Sequence, residues 1–446
     1  MRVCKYIITA SLLGLCAWQT KAQNAAATPA TWTLEQCIGY AIAHNVTVRQ
    51  SAVTATESEI DVNTSKWARL PQLNGSAQQS WSWGRAASPI DNTYNDTHSS
   101  NSNFSLSTDV PLYTAMRIPN QYKLSQLNLK AALSDLQKAK DDLSINIASS
   151  YLQALLNKEL CKVAEEQITL SQQQLDRLKR MEEVGKAAPA EVAEARATLE
   201  QNKLNAVQND NTYKLSLLDL SQMLELPTPE GFEIITPSVD MQFANMTAPD
   251  AIYQTALTQR PDVQAAQYRL DGSDLSIKIA KAAYYPQISF GAGLGTSYYT
   301  MSGIDAAGFG SQLKNNLNKY FGFSLSVPLF DRFSTRNSVR KARAQQIGYQ
   351  LQLENTKKTL YKEIQQAWYS ALASENKYKS STTALEAAQE SFKLMREKYE
   401  NGKATAVEYN ESQMKLQKAE SDLIQSKYDY VFRNKILDFY KGEKIK

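Results

Sequence analysis

Imidazole and thiol groups are scarce in this 446-residue chain, which has two histidines, His44 and His98, and four cysteines. The histidines stand apart and no nucleophile motif accompanies them. Little enzyme chemistry can therefore be assembled, no metal-ligand spacing exists, and neither a metal nor a cofactor is expected. Glycine and proline, 17 and 13 in number, are too few for a chain made of short turns. Long stretches rich in Ala, Leu, Gln, Lys and Glu instead carry the composition of long helices. Beyond the first two dozen residues there is no run of 18 apolar residues. That removes a transmembrane helix and leaves a periplasmic protein, a secreted protein or a membrane β-barrel.

The opening stretch "MRVCKYIITASLLGLCAWQTKAQ" has Arg2 and Lys5, then an apolar run, then Thr20-Lys21-Ala22. This pattern predicts a signal peptide over 1–22 and a mature chain starting at Gln23. Cys16 raises lipidation as an alternative, although Leu15 is larger than the small residue such a site needs. Removing Arg2, Lys5 and Lys21 takes the formal charge from +4 to 4 − 3 = +1. Such a balance gives no pull toward nucleic acid. Cys37 and Cys161 fall in different expected helices and read as buried thiols, with nothing in their spacing to pair them.

An internal duplication is the most informative feature. "MEEVGKAAPAEVAE" (181–194) and "KYENGKATAVEYNE" (398–411) share a plan, with Gly185 and Gly402 offset by 402 − 185 = 217. Tyr113 and Phe330, which end "VPLY" and "VPLF", keep that offset, as do Tyr151 and Trp368. Upstream the offset becomes 215, pairing Ala41 with Ala256, Val48 with Val263, and Pro71 with Pro286. The halves are therefore 23–225 and 249–446, separated by a Pro-rich connector over 226–248 packed at mid-length of the helices. Each half reads as helix, two strands, long helix, turn, return helix.

Leu360, Ile364, Ala367, Ala371, Ser374 and Tyr378 recur in steps of four and three, which continue through Phe392 and Met395 to Tyr399. This is a seam for packing on other helices. The long helices are expected over 118–184 and 335–401, and about 67 residues at 1.5 Å each span about 100 Å. The helices before the strands (33–69 and 249–284) and after the turns (188–224 and 404–441) are about half as long, so two end to end match one long one.

Strands are expected over 72–84, 101–112, 287–300 and 319–330. In "YFGFSLSVPLF", Phe321, Phe323, Leu325, Val327 and Leu329 alternate with small or polar residues, the pattern of a transmembrane β-strand. "GAGLG" (291–295) lies in such an alternating strand and lacks the Lys-Ser/Thr of a phosphate loop. Trp81, Trp83, Tyr298 and Tyr299 are placed as membrane-interface aromatics. Long polar loops over 85–100 and 301–316 join each strand pair. Four strands are too few to close a barrel.

With these elements in place the chain resembles the TolC family of Gram-negative outer membrane efflux and secretion channels. The resemblance rests on the duplicated halves, on "QRPDV" (259–263), and on the turn, where an aromatic stands three before Gly402 and acids stand six and nine after it. It implies α plus membrane-β architecture: a homotrimer sharing one 12-stranded outer membrane β-barrel, continued by a long periplasmic α-helical barrel. It also implies a passive duct for efflux or secretion, closed at its periplasmic tip. Its partners would be a periplasmic adaptor, an inner membrane pump of RND or ABC type, and outer membrane lipid. Carried over by position, Glu408 and Glu411 are gate carboxylates, Tyr399 belongs to the closing network, and Glu191 and Glu194 are the first-half partners. Val184, Gly185, Lys186, Gly402 and Lys403 are the tip-turn residues that would meet the adaptor. Glu182 stands where the first turn should have an aromatic, and Ala404 where a basic residue is usual.

A second origin exists for the same glutamates. Thr405-x-x-Glu408 is a capping box, and Glu191 sits where a carboxylate favours a helix start. Glu411 and Glu194, one turn on, need a lumen or a solvated face. A periplasmic coiled-coil scaffold with a small β-domain is the alternative to a channel.

Overall fold

The computed structural model describes residues 31–87, 93–228, 230–236, 246–303 and 305–443. The expected signal peptide and Cys16 lie outside them. In chain order the elements are β1 (Thr31–Trp32), α1 (Leu34–His44), α2 (Val46–Trp67), β2 (Gln72–Ala87), β3 (Tyr94–Tyr113), α3 (Arg117–Glu183) and α4 (Pro189–Met223). The connector has β4 (Glu233–Ile234), and the second half has α5 (Pro249–Gln259), α6 (Pro261–Ala282), β5 (Gln287–Met301), α7 (Phe309–Asn315), β6 (Asn318–Ser326), α8 (Ser334–Glu400) and α9 (Ala406–Lys441).

The long helices α3 and α8 have 67 residues each. Ile364, Ala371 and Ser374 are buried in the α8 seam, and their α3 counterparts Ile147, Ala154 and Asn157 are buried too. Two core clusters form at mid-length. One gathers Trp32, Cys37, Ile147, Tyr151, Leu155, Leu220 and Ile234; the other gathers Ile252, Ala256, Val263, Leu360, Ile364 and Leu437. Burial pushes the Cys37 thiol up to about 12, so it stays a neutral core group. Cys161 is half-buried and unpaired.

Each expected pre-strand helix is two helices. In the second half the break is at Arg260, because Pro261 has no N–H and disfavours helix in the residue before it. The first half breaks at Asn45 without a proline. The Asn45 side chain accepts from the Thr47 and Val48 amides and donates to the Met223 carbonyl, starting a new helix inside a helical pattern.

Also unforeseen in the sequence is the parallel pair β1–β4, which docks the connector on the start of the first half. The Tyr151 hydroxyl lies 2.7 Å from the Ile235 carbonyl and 3.0 Å from that of Trp32. Its counterpart Trp368 has a buried indole N–H with no partner among the described residues.

The four long strands form one antiparallel sheet, ordered β2-β3-β5-β6. Register puts Leu106 opposite Leu294 and Phe290 opposite Phe323 on one face. Away from α7 that face is bare among the described residues, with Phe321 79% and Phe323 74% exposed. The other face is small and polar: the Ser76 and Ser105 hydroxyls are 2.7 Å apart, and the Tyr320 ring lies over Gly293 where a Cβ would meet it at 2.7 Å. The expected loop over 85–100 is mostly strand, since Arg85–Ala87 pair with Tyr94–Asp96. Backbone pairing needs no apolar side chains, which is why a polar ladder read as loop. β6 stops at Ser326, two residues before Pro328, whose missing N–H cannot extend a ladder.

Both halves turn from strand into long helix through two successive left-handed residues, Ala115-Met116 and Arg332-Phe333. None of the four is glycine, so each junction stores about 1–2 kcal/mol per residue that packing must repay.

Candidate functional site at the hairpin tips

The α3–α4 and α8–α9 turns close identically. The Gly185 amide donates to the Glu182 carbonyl at 2.8 Å and that of Lys186 to Met181 at 2.7 Å. Gly402 and Lys403 donate to Tyr399 at 3.1 Å and Lys398 at 2.8 Å. This is the Schellman arrangement, and it needs the positive φ of 72° at Gly185 and 68° at Gly402. Val184, Gly185, Lys186, Gly402 and Lys403 are all exposed at the extremity.

The return helices begin differently. Thr405 accepts from the Glu408 amide at 3.3 Å, while the Glu408 carboxylate accepts from the Thr405 amide at 2.8 Å and its hydroxyl at 2.9 Å. These bonds hold the Glu408 carboxyl below the usual carboxylate range, so it stays charged. Ala188 has no side-chain acceptor, and only Glu191 reaches back, 3.4 Å from the Ala188 amide. Both inner glutamates are thus engaged at helix starts. Glu411 stands exposed one turn further.

Tyr399 is half-buried and stacks on Tyr409, with centroids 4.8 Å apart at 25°; Phe392 lies 5.5 Å from Tyr409. The Tyr399 hydroxyl accepts from Gln174 at 3.4 Å and lines a cavity between the hairpins with Glu191, Glu194 and Asn410. Burial first, and then the nearby Glu191 charge, pushes that hydroxyl above its ordinary value. Asn410 donates to Glu194 at 3.4 Å, and Arg177 pairs with Glu400 at 3.4 Å. The structure therefore groups Tyr399 with the glutamates of the opposite hairpin, while Glu408 is taken up by Thr405.

Gln174, Arg177, Tyr409 and Asn410 were not legible as tip residues. Tyr409 gave a usable signal, being the only aromatic within two turns after Gly402. The other three are ordinary polar helix residues in the sequence. Among the described residues no group of three or more His, Cys, Asp or Glu is placed to hold a metal.

At the opposite end Trp81 and Trp83 stand on the apolar sheet face. Tyr298 shares that face and packs edge-on against Phe309 at 4.9 Å. Tyr299 points to the other face, because neighbours in a strand alternate. It does not join the set in which the sequence placed it.

The family model described as Outer membrane efflux protein matches residues 37–225 and 252–442, one stretch in each half. The chain belongs to this outer membrane efflux family. It is 23% identical over 326 residues to the toluene efflux pump outer membrane protein TtgC of Pseudomonas putida, covering 72% of this chain and 66% of that one. It thus spans just under two thirds of the length of that relative. It is also 23% identical to TolC of Escherichia coli, over 87% of this chain and 77% of the other. The structure of VceC from Vibrio cholerae superposes with a TM-score of 0.76 at 16% identity, covering 93% and 97% of the two chains. As a family member the chain lies in the outer membrane, with its helices extending into the periplasm. The bare face of the sheet is the face toward lipid.

Proposed function

We propose that three copies of this chain form one passive exit duct, docked through its tips to a periplasmic adaptor and fed by an inner membrane pump of RND or ABC type. The observation that carries this is the open sheet. Among the described residues β2 and β6 have unpaired outer edges, and unsatisfied backbone groups are not tolerated in hydrocarbon. Three copies give 3 × 4 = 12 strands and a closed barrel. Val46, Val53, Ile60 and Trp67 support it: exposed at seven-residue intervals along α2, they make a seam for a neighbouring copy. The duct adds no chemistry, and choice of cargo rests with the pump.

Extraction tests this. The protein is expected to need detergent for release from membranes and to run as a trimer. Release by salt or alkali as a single copy would return the coiled-coil scaffold as the better account.

Six hairpins then ring one opening, with the network around Tyr399 holding it closed and Glu411 and Glu194 lining it. Carboxylates around a narrow lumen favour cations. Glu408→Gln with Glu411→Gln is expected to lower the cation preference in planar-bilayer recordings, while the amide at 408 still serves the helix start. An unchanged reversal potential would leave both as surface and capping groups.

A further inference from the structure

The ladder of β6 begins at Asn318, opposite Gly295, so β5 continues to Met301 paired with β3 on one side and with no strand among the described residues on its β6 side. Side chains from the intervening loop fill that place. The Gln312 carboxamide takes both backbone groups of Tyr299, accepting from its amide and donating to its carbonyl, each at 2.9 Å. Asn316 donates to the Ser297 carbonyl at 2.8 Å, and the Thr296 hydroxyl donates to the Leu313 carbonyl at 2.7 Å. The seven-residue helix α7 is thereby clamped to the end of β5.

The clamp sets α7 on the lipid side of the sheet. Thr296 and Tyr298 share the face of Phe290 and Leu294, and Tyr298 meets Phe309 of α7. Phe309 and Leu317, each 49% exposed, have their apolar surface left open. On the same outward face of β6, Lys319 is the first charge above Phe321, Phe323 and Leu325. It marks the outer border of the apolar band. Lys314 lies on α7 itself. Neither lysine has a carboxylate partner among the described residues, and from 302 to 320 Asp305 is the only acid.

We infer that α7 is an interfacial foot that docks on phosphate-bearing, negatively charged lipid headgroups of the outer leaflet, with Lys314 and Lys319 as the charged contacts. Apolar side chains on one side and lysines free to reach outward are what such a surface selects. The foot is continuous with the lipid-facing band, and it rests on the outer membrane channel described above. Docking also explains why a short helix is fastened by three side-chain contacts: it holds Phe309 and Lys314 at the height of the headgroups.

Hydrogen–deuterium exchange on the full-length channel in lipid nanodiscs provides the test. Discs of phosphatidylcholine alone are compared with discs carrying phosphatidylglycerol, at low salt. Each basic group near an anionic surface is worth about 1 kcal/mol, so the peptide over 308–317 is expected to exchange up to about thirty-fold more slowly in the anionic discs. Lys314→Gln with Lys319→Gln is expected to abolish that difference and leave exchange in neutral discs unchanged. Equal exchange in both lipids, or a lipid effect that survives the double substitution, would overturn the foot. Strand residues 287–295 serve as the internal reference: if they are unprotected in every disc, the membrane channel itself is wrong and the foot falls with it.

Discussion

A channel carrying both Arg177→Ala and Tyr399→Phe is expected to conduct at least tenfold more in its resting state than the unaltered protein. The two substitutions remove the Arg177–Glu400 pair and the hydroxyl that accepts from Gln174, two of the links between the two hairpins of one chain near the tip. Each is modest. Arg177 and Glu400 are 36% and 47% exposed, so screening limits the pair to the low end of about 0–1 kcal/mol. The neutral hydrogen bond is worth about 0.5–1.5 kcal/mol. Six links act together in a trimer, however, so even about 0.5 kcal/mol each sums to about 3 kcal/mol on one closed-to-open equilibrium, roughly a hundredfold shift. Single-channel recording measures it directly. A resting conductance equal to that of the parent would mean that the tip is held shut elsewhere.

Phe323→Lys is expected to abolish assembly into the outer membrane, whereas Ser324→Lys, one residue along, is expected to assemble. Phe323 is on the lipid face near the middle of β6 and Ser324 points the other way. A lysine on the lipid face near the midplane costs about 2–4 kcal/mol. The cost recurs in each of three copies, against a total stability of about 5–15 kcal/mol for a typical fold. On the inner face the same charge meets water. The yield of detergent-extracted trimer separates the two variants. Equal yields would place the membrane on neither face of this sheet.

The parts of the fold that the sequence declares are those with long periodicity. Seam steps of three and four place α8, and alternation places β6, because both patterns report one face buried against a large partner. The parts it hides have local or nonlocal polar causes. Asn45 starts a helix through its own side chain, inside an unbroken helical pattern. Gln312 replaces a strand with one carboxamide, a contact that no period announces. At the tip the glycines and Thr405 are legible because helix ends have local rules. The cavity that brings Tyr399 to Glu191 and Glu194 joins residues about two hundred positions apart, and nothing in either segment points to the other.

Among the described residues the β1–β4 pair ties the connector to the first half and has no counterpart in the second, and its consequence is one of symmetry order. Two near-repeats in each of three chains make the tube above and below the middle approximately sixfold. At mid-length the Tyr151 copy of the repeat is tied to the connector by its hydroxyl, while the Trp368 copy has an N–H with no partner among the described residues. The assembly therefore wears a threefold collar on a nearly sixfold cylinder. Any ring that grips the waist must match three positions, whereas one that meets the tips finds six turns of almost the same shape.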